Sequence, residues 1–438
     1  MIRFILAFVV MMSALPAWAG VDIKEVKSES GLTAWLVEDH SIPFVALEIR
    51  FRGGASLDAP GKRGAITLMT ALLEEGAADM DARAFARALE ALATSFEFDV
   101  NDDEVSVSAR FLTENRDASM ALLRAALMQP RFDPEAIERV RGQVLSIIRS
   151  DAQDPNDIAS RTFDQIAYGD HPYASSLNGT EDSVAGLTRD DLIAAHAATL
   201  ARDRIYIGAV GDITEQDLAT LMDALLGDLP QSGAPMPPRA EVNIPSGVTV
   251  VEFDTPQSVA LFGHAGMAQD DPDFFAATVL NQILGGGSFE SRLMKEVREK
   301  RGLTYGVYSY LLPKDLAETY MGSVSSANDR IAEAIDVIRE EWAKAARDGV
   351  TEEELRDAKT YLTGAYPLRF DGNGPIARIM VGMQMLALPI DYAATRNARV
   401  EAVTLEDVRR VAGELLDPEG LHFVVVGKPV GLESTPAN

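Results

Sequence analysis

The residues best suited to chemistry lie between Gly285 and Tyr310, a stretch that combines arginines, lysines and tyrosines. Arginine carries a permanent charge and a rigid fork of donors, so it can stabilise an oxygen on which negative charge develops. The stretch opens with three glycines and continues with apolar residues at helical spacing: Phe289, Leu293, Met294 and Val297. Gly302 follows the basic end of this pattern, and an alternation of period two begins at Thr304. The order predicts a glycine turn, a basic helix, a glycine stop and an aromatic strand.

The run SRLMKEVREKRGLTYGVYS within this stretch resembles the C-terminal-domain signature of the pitrilysin, insulysin and mitochondrial-processing-peptidase family, the inverted zincins. The resemblance implies that an arginine late in the helix and a tyrosine seven residues further on contact substrate at the active site. Arg298 and Tyr305 match that pair. Arg301 and Tyr308 have the same spacing, although the triplet Leu303-Thr304-Tyr305 fits the family's Leu-x-Tyr and favours the first pair.

The three glycines allow two interpretations. Gly285, Gly286 and Gly287 could let a peptide backbone pass closely, because glycine has no side chain to obstruct it. A plain turn at the start of the helix explains them equally well. We therefore treat them as candidate substrate-binding positions.

The family's catalytic chains carry H-x-x-E-H on a helix of the first domain, where two histidines bind zinc and the glutamate activates water. The matching positions here run from Thr67 to Ala71, with Thr67, Thr70 and Ala71 in place of the two histidines and the glutamate. The position of the later glutamate ligand falls at Ile147 or Ile148. The resemblance thus predicts a degenerate metal site that binds no zinc in this chain.

Nothing else in the sequence replaces that site. No two of the five histidines lie within a helical turn of each other, and neither a G-x-S-x-G elbow nor a paired acid site is present. The histidines are His40, His171, His196, His264 and His422.

Composition excludes other classes of protein. The 438 residues carry a net charge of −27, which is unsuited to binding a nucleic-acid backbone. Arg3, an apolar run and Ala17-Trp18-Ala19 predict a signal peptide cleaved after Ala19, and hence a periplasmic protein. No later stretch approaches the length of a membrane span, and the absence of cysteine excludes disulfides and cysteine-bound zinc.

The second half of the chain repeats the first. Thr188 and Thr404 each precede a similar helix pattern and are 216 residues apart, as are Gly211 and Gly427 at the ends of two similar strands. We predict an α+β fold of two tandem homologous domains, each a mostly antiparallel sheet packed with helices, facing each other like a clam shell. The predicted divisions are 1–19 signal peptide, 20–228 first domain, 229–245 proline-rich linker and 246–438 second domain.

Lost zinc ligands with a retained Arg–Tyr pair resemble the non-catalytic subunits of two-chain members of the family. The resemblance implies a heterodimer in which an H-x-x-E-H-bearing partner supplies zinc, while this chain binds peptide and activates the partner. Two alternatives stay open: a scaffold subunit without a catalytic contribution, and a self-sufficient metallopeptidase with relocated ligands. The sequence leaves the peptide specificity, the partner and the choice between homodimer and heterodimer undetermined.

Overall fold

A computed structural model describes residues 22–436, so the predicted signal peptide lies outside the described residues. The strands are β1 (Lys24–Lys27), β2 (Thr33–Glu38), β3 (Phe44–Arg52), β4 (Gly76–Ala77), β5 (Met80–Asp81), β6 (Ser95–Val100), β7 (Glu104–Leu112), β8 (Ile205–Gly211), β9 (Gly247–Glu252), β10 (Gln257–Ala265), β11 (Val307–Lys314), β12 (Ala317–Ala327) and β13 (His422–Gly427). The helices are α1 (Ala65–Ala71), α2 (Ala82–Ala91), α3 (Arg116–Met128), α4 (Pro134–Asp151), α5 (Pro155–Tyr168), α6 (Glu181–Ala185), α7 (Arg189–Thr199), α8 (Glu215–Leu226), α9 (Phe274–Leu284), α10 (Ile331–Asp348), α11 (Glu352–Ala365), α12 (Asn373–Met385), α13 (Tyr392–Ala402) and α14 (Leu405–Leu415).

The first half is built on a six-stranded sheet in the order β1-β2-β8-β3-β7-β6. All neighbours are antiparallel except β2 and β8. Alternate residues of β3, such as Leu47, Ile49 and Phe51, point into a core shared with α1 and α4, because successive side chains of a strand face opposite ways.

The second half repeats this plan with a five-stranded sheet in the order β11-β12-β10-β13-β9, in which only β13 and β9 are parallel. Thr188 and Thr404 both form capping boxes, with Asp191 and Asp407 three residues on. Gly211 and Gly427 both end a buried strand with positive φ, at 131° and 152°. The structure is therefore the predicted α+β fold of two similar domains.

The two halves exchange a helix. α12, from the second half, lies on β3 and β8 of the first sheet, where Gln384 donates to the Ile207 carbonyl at 2.8 Å. A Cβ built on Gly208 of β8 would lie 2.9 Å from the side chain of Val381, so α12 packs against β8 too closely for a larger residue there. In return, α5 of the first half packs Phe163 among Val424, Val426 and other residues of the second sheet. Each sheet is thus covered on one face by a helix from the other half.

Two equivalent hairpin tips also meet between the halves. Lys314, at the end of β11, donates to Asp102 at 2.9 Å, and the backbone N–H of Asp315 donates to Asp103 at 3.2 Å. The Tyr173 hydroxyl accepts from the Leu316 N–H at 3.1 Å and donates to Asp103. This polar cluster joins the β6–β7 turn to the β11–β12 turn.

Segment 230–246, between α8 and β9, contains no helix or strand. It is held against both halves, since the Gly233 N–H donates to Asp203 and the Ala240 N–H to the Leu316 carbonyl at 2.9 Å. Between residues 22 and 436, no helix combines the length and the apolar character needed to cross a bilayer.

Candidate functional site

The predicted basic helix is a short segment whose main part, Met294–Glu299, is a π-helix. Its backbone pattern is seen in the Lys300 N–H, which donates to the Lys295 carbonyl five residues earlier at 3.0 Å. The predicted core residues Leu293, Met294 and Val297 are buried, and Gly302 ends the segment with φ 59°. Single π-helical turns occur frequently at functional sites, because the wider turn changes the direction of the side chains.

Phe289 is not part of this buried face, although its spacing matches the helical pattern of Leu293 and Val297. The residues from Gly285 to Ser291 form turns rather than helix, and Phe289 therefore escapes the helical periodicity and is 60% exposed. Its ring instead supports Arg298, whose guanidinium carbon lies 4.6 Å from the ring centroid. A cation held over an aromatic face is stabilised by the negative face of the ring. Sequence reasoning missed this role because the spacing of Phe289 also matches a helix.

The side chain of Arg298 makes no hydrogen bond or ion pair within the part of the chain that the structure describes, although its backbone carbonyl accepts from the Gly302 N–H at 2.8 Å. The residue is half-buried, and its guanidinium lies over the Phe289 ring. All five of its N–H donors therefore remain available to an external acceptor.

Tyr305 is 87% exposed and precedes the strand, which begins at Val307 rather than at the predicted Thr304. The Thr304 hydroxyl accounts for the late start, because it donates to the Ser325 carbonyl at 2.7 Å and accepts from the Gly306 N–H at 3.0 Å, which fixes a turn there. The side chain of Tyr305 thus projects into solvent from an anchored turn. Beyond it the predicted alternation holds, with Val307 and Ser309 buried and Tyr308 and Tyr310 exposed.

The alternative pair differs in its contacts. Arg301 forms an ion pair with Glu296 at 2.7 Å and donates to the Glu296 carbonyl at 2.8 Å, so its guanidinium is already engaged. Tyr308 lies on the outer face of β11 and is about half as exposed as Tyr305. The contacts therefore distinguish Arg298 as the arginine with free donors.

The glycine turn ends α9 rather than beginning the basic helix. Gly285 accepts from the Ser309 N–H at 2.8 Å, and a Cβ on Gly285 would lie 2.3 Å from the Ser309 hydroxyl. A Cβ on Gly286 would meet Gln282 at 2.6 Å. Gly287 has a φ of 84°, a backbone conformation that residues with a side chain rarely adopt. At Gly285 the close backbone approach is therefore to β11 of the same chain.

The degenerate metal positions lie on α1 and cannot supply a zinc ligand set. The Thr67 hydroxyl donates to the Leu177 carbonyl at 2.6 Å, the Thr70 hydroxyl is buried without a partner, and Ala71 is exposed. Ile147 is exposed and Ile148 is half-buried, and neither has a donor atom. Zinc sites need imidazole, thiolate or carboxylate groups, so these residues do not fit the metal.

The rest of the described chain offers no replacement. Across residues 22–436, no three histidine, cysteine, aspartate or glutamate side chains come close enough together to hold a metal ion. Each of the five histidines has a separate partner: His40 pairs with Asp212, His171 with the Pro238 carbonyl, His196 with the Leu127 carbonyl, His264 with the Trp342 indole and His422 with the Pro245 carbonyl.

The fold and these positions define a class of protein: two zincin-like domains in one chain, with the metal ligands replaced and an exposed Arg–Tyr pair in the second domain. Two family profiles match. "Insulinase (Peptidase family M16)" matches residues 33–181, and "Peptidase M16 inactive domain" matches residues 186–362. The chain belongs to the M16 peptidase family.

Individual relatives agree with this assignment. A protein of Helicobacter pylori named "Non-peptidase homolog YmxG" is 26% identical over 89% of this chain and 90% of its own length. An "uncharacterized zinc protease" of Mycobacterium tuberculosis is 29% identical over 81% of both chains. The crystal structure of a "peptidase M16 inactive domain" from Pseudomonas fluorescens has a TM-score of 0.86 and 28% identity, covering 94% of this chain and 99% of that chain.

Proposed function

We propose that this protein is the non-catalytic subunit of a two-chain zinc peptidase, in which it binds peptides and activates a partner that carries H-x-x-E-H. The single observation that carries the proposal is the free guanidinium of Arg298, held over Phe289 and followed seven residues later by the exposed Tyr305. The chain's own metal positions hold Thr67, Thr70 and Ala71. The name of the Helicobacter pylori relative supports a role without peptidase activity of its own.

The chemistry of the pair fits a contribution from across a shared cavity. Peptide hydrolysis places negative charge on the carbonyl oxygen, and donors aimed at that oxygen in a water-poor site stabilise it. Arg298 retains its positive charge and offers a planar fork, while the Tyr305 hydroxyl offers one further donor. The partner supplies the zinc, and this chain supplies donors that hold the scissile peptide.

Reconstitution tests the proposal. The purified mature chain, mixed with a family member that bears H-x-x-E-H, should raise that member's hydrolysis of a fluorogenic peptide. Arg298→Ala should lower the rate of the mixture by on the order of 10²-fold, the loss typical for one such donor. Tyr305→Phe, which removes only the hydroxyl, should also lower it.

Arg301→Ala provides the matched control, because it removes the same charge from the same helical segment but breaks the pair with Glu296. It should leave the activity of the mixture nearly unchanged. A mixture no more active than the partner alone would overturn the activating role. If the two chains form a complex and Arg298→Ala leaves its peptidase activity unchanged, the protein would instead have a scaffold role.

We further propose that the chain works in the periplasm, on the strength of the signal-peptide pattern that ends at Ala19. Cell fractionation and N-terminal sequencing test this proposal. A mature protein that begins at Gly20 in the periplasmic fraction is expected, and an unprocessed chain in the cytoplasm would contradict it.

A further inference from the structure

A groove lined by arginines lies where the exchanged helix α12 meets the helices of the second half. It has a volume of about 640 Å³, within the range of sites that take small ligands or peptide segments. Its walls come from α9, α12, α13 and the 3-10 turn Tyr366–Phe370, with Arg50 of β3 at one side. No residue of the 285–310 stretch lines it.

Three of the four arginines that line this groove have no carboxylate partner among the described residues, and Arg50 is the exception. Arg369, Arg378 and Arg396 make no ion pair within residues 22–436, and the same holds for Arg399 in the adjoining cavity. The lack of partners is unusual, because a chain with a net charge of −27 has many more carboxylates than cations. Arg50, by comparison, is bound by two glutamates. The groove is therefore a local concentration of uncompensated positive charge.

Aromatic rings hold two of these arginines in place. The guanidinium of Arg396 lies 4.5 Å from the centre of the Tyr366 ring and donates to the Leu362 carbonyl at 2.8 Å. The guanidinium of Arg399 lies 5.4 Å from the centre of the Tyr392 ring. Burial lowers the pKa of Arg396, and the neighbouring charge of Arg369 acts in the same direction. These cations are thus positioned without being neutralised.

The groove continues into a second cavity of about 690 Å³ that shares Phe274, Phe275 and Tyr392 with the first. The part of its lining that is not shared with the first cavity contains the carboxylates of Asp270, Asp271 and Asp407, together with Arg399. A ligand that spans both cavities meets cations at one end, aromatic rings in the middle and carboxylates at the other end. A polyphosphate would be repelled by the acidic end and would leave the aromatic wall unused.

We propose that this groove binds an extended peptide segment that carries acidic side chains at one end, an apolar side chain next to them and a basic or amino group at the other. Arg369, Arg378 and Arg396 take the carboxylates, since arginine forks match carboxylates with two parallel hydrogen bonds. Phe275 and Tyr392 take the apolar side chain. The proposal goes beyond the peptidase role, because it requires neither a partner chain nor Arg298.

Fluorescence anisotropy tests it with a labelled synthetic peptide in which glutamates precede a leucine, a phenylalanine and lysines. The wild-type chain should bind this peptide. A second peptide with glutamine in place of each glutamate should bind at least about tenfold more weakly, because the charge-assisted hydrogen bonds are lost. Arg369→Ala and Arg378→Ala should each weaken binding severalfold. Because the protein is strongly acidic overall, general electrostatic attraction of the acidic peptide is excluded.

Two further variants separate the groove from other effects. A Cβ on Gly382, which lines the groove, meets no atom within 4 Å, so Gly382→Phe should fill the groove and abolish binding without touching an arginine. Arg347→Ala changes the net charge equally at an exposed arginine paired with Asp348, and it should leave binding unchanged. Arg298→Ala should also leave binding unchanged, which distinguishes this site from the peptidase role.

Equal binding of the glutamate and glutamine peptides would overturn the proposal. So would unchanged binding by Arg369→Ala and Arg378→Ala, or binding of tripolyphosphate in place of the peptide. Circular dichroism of each variant establishes that a loss of binding is not a loss of fold.

Discussion

Lys314 and Asp102 are 212 residues apart in sequence and form a 2.9 Å ion pair, because each lies at the tip of a hairpin that occupies the same place in its own half. The ammonium of Lys314 also lies 4.5 Å from the centre of the Tyr173 ring. Both charged side chains are mostly shielded from water. The pair therefore joins the halves at a point where both charges are mostly shielded from water, with Arg63 as a second partner of Asp102 at 3.0 Å.

Lys314→Met should destabilise the protein, since it leaves the carboxylate of Asp102 with Arg63 as its remaining cation. Removal of one partner from a buried pair costs on the order of 3 kcal/mol in the free energy of unfolding. Urea denaturation measures the change. Lys428→Met is the control, because its pair with the fully exposed Asp254 should contribute little to the free energy of unfolding. Similar losses in the two variants would contradict this account of the hairpin contact.

Asp164, on α5, should make stability depend on pH. Burial raises the pKa of its carboxyl to about 6, although the charge of Lys314 opposes the shift. The native state therefore holds the proton more tightly than the unfolded chain, and the stability that Asp164 contributes is lost as pH rises from its usual pKa of 3.8 through about 6. Relative to Asp164→Asn, the wild type should lose free energy of unfolding between about pH 4.5 and about pH 7.5.

Urea denaturation of both proteins at the two pH values measures the free energies of unfolding. An equal change with pH in the wild type and in Asp164→Asn would refute the prediction. Asp254→Asn serves as a contrast of opposite sign. A hydrogen bond from Lys428 lowers the pKa of Asp254, so its contribution is present at neutral pH and is lost as pH falls through that lowered pKa.

Gly285→Ala should destabilise the protein and disturb the start of β11. The new methyl group would lie 2.3 Å from the Ser309 hydroxyl and 2.8 Å from its backbone nitrogen, so the strand must shift. Overpacking of this kind typically costs about 1–3 kcal/mol. Gly364→Ala is the control, since a Cβ there meets nothing within 4 Å inside α11, and it should stabilise by roughly 0.5–1 kcal/mol. Thermal denaturation compares the two, and the reverse order would be incompatible with the structure.

A protease site inserted after Gln231, which is exposed, should be cut without separating the halves. α5 and α12 each remain packed on the opposite sheet, and the hairpin contact remains in place. The cut protein should elute from gel filtration as one species and separate only in denaturant. Residues 20–228 expressed alone should aggregate, because Trp35 and Val210 would lose the cover of Met380 and Met383. A soluble, folded first half would contradict the reciprocal packing.

Much of the fold could be predicted from local chemistry. The sequence predicts a helix from Arg116 to Met128, and α3 has these bounds. Asp133-Pro134 likewise predicts the start of α4, because turn and cap residues act within a few positions of themselves. The strict alternation after Asp103 likewise predicts β7, where one face is buried and the other is not. The same local reasoning extended the predicted helix at Ala65 to Glu75, whereas α1 ends at Ala71 and gives way to tight turns before Gly76.

The exchange of α5 and α12 could not be predicted in this way. An amphipathic pattern indicates that one face of a helix is buried, but it carries no information on which sheet buries it. The contact between Arg298 and Phe289 could not be predicted for a related reason. The helical spacing of apolar residues includes Phe289, but the chain forms turns up to Ser291 and the helical segment begins only after it. Arg369 and Arg396 of the groove are 27 residues apart and Arg50 lies in the first half of the chain, so only the fold brings them together.

The reciprocal helices have a mechanical consequence. Prying the two halves of this chain apart would strip α12 from one sheet and α5 from the other, exposing two apolar faces at once. We therefore expect the two halves to move together as one rigid body. In the two-chain peptidase proposed above, the opening that admits a peptide would then lie at the contact between this chain and its partner.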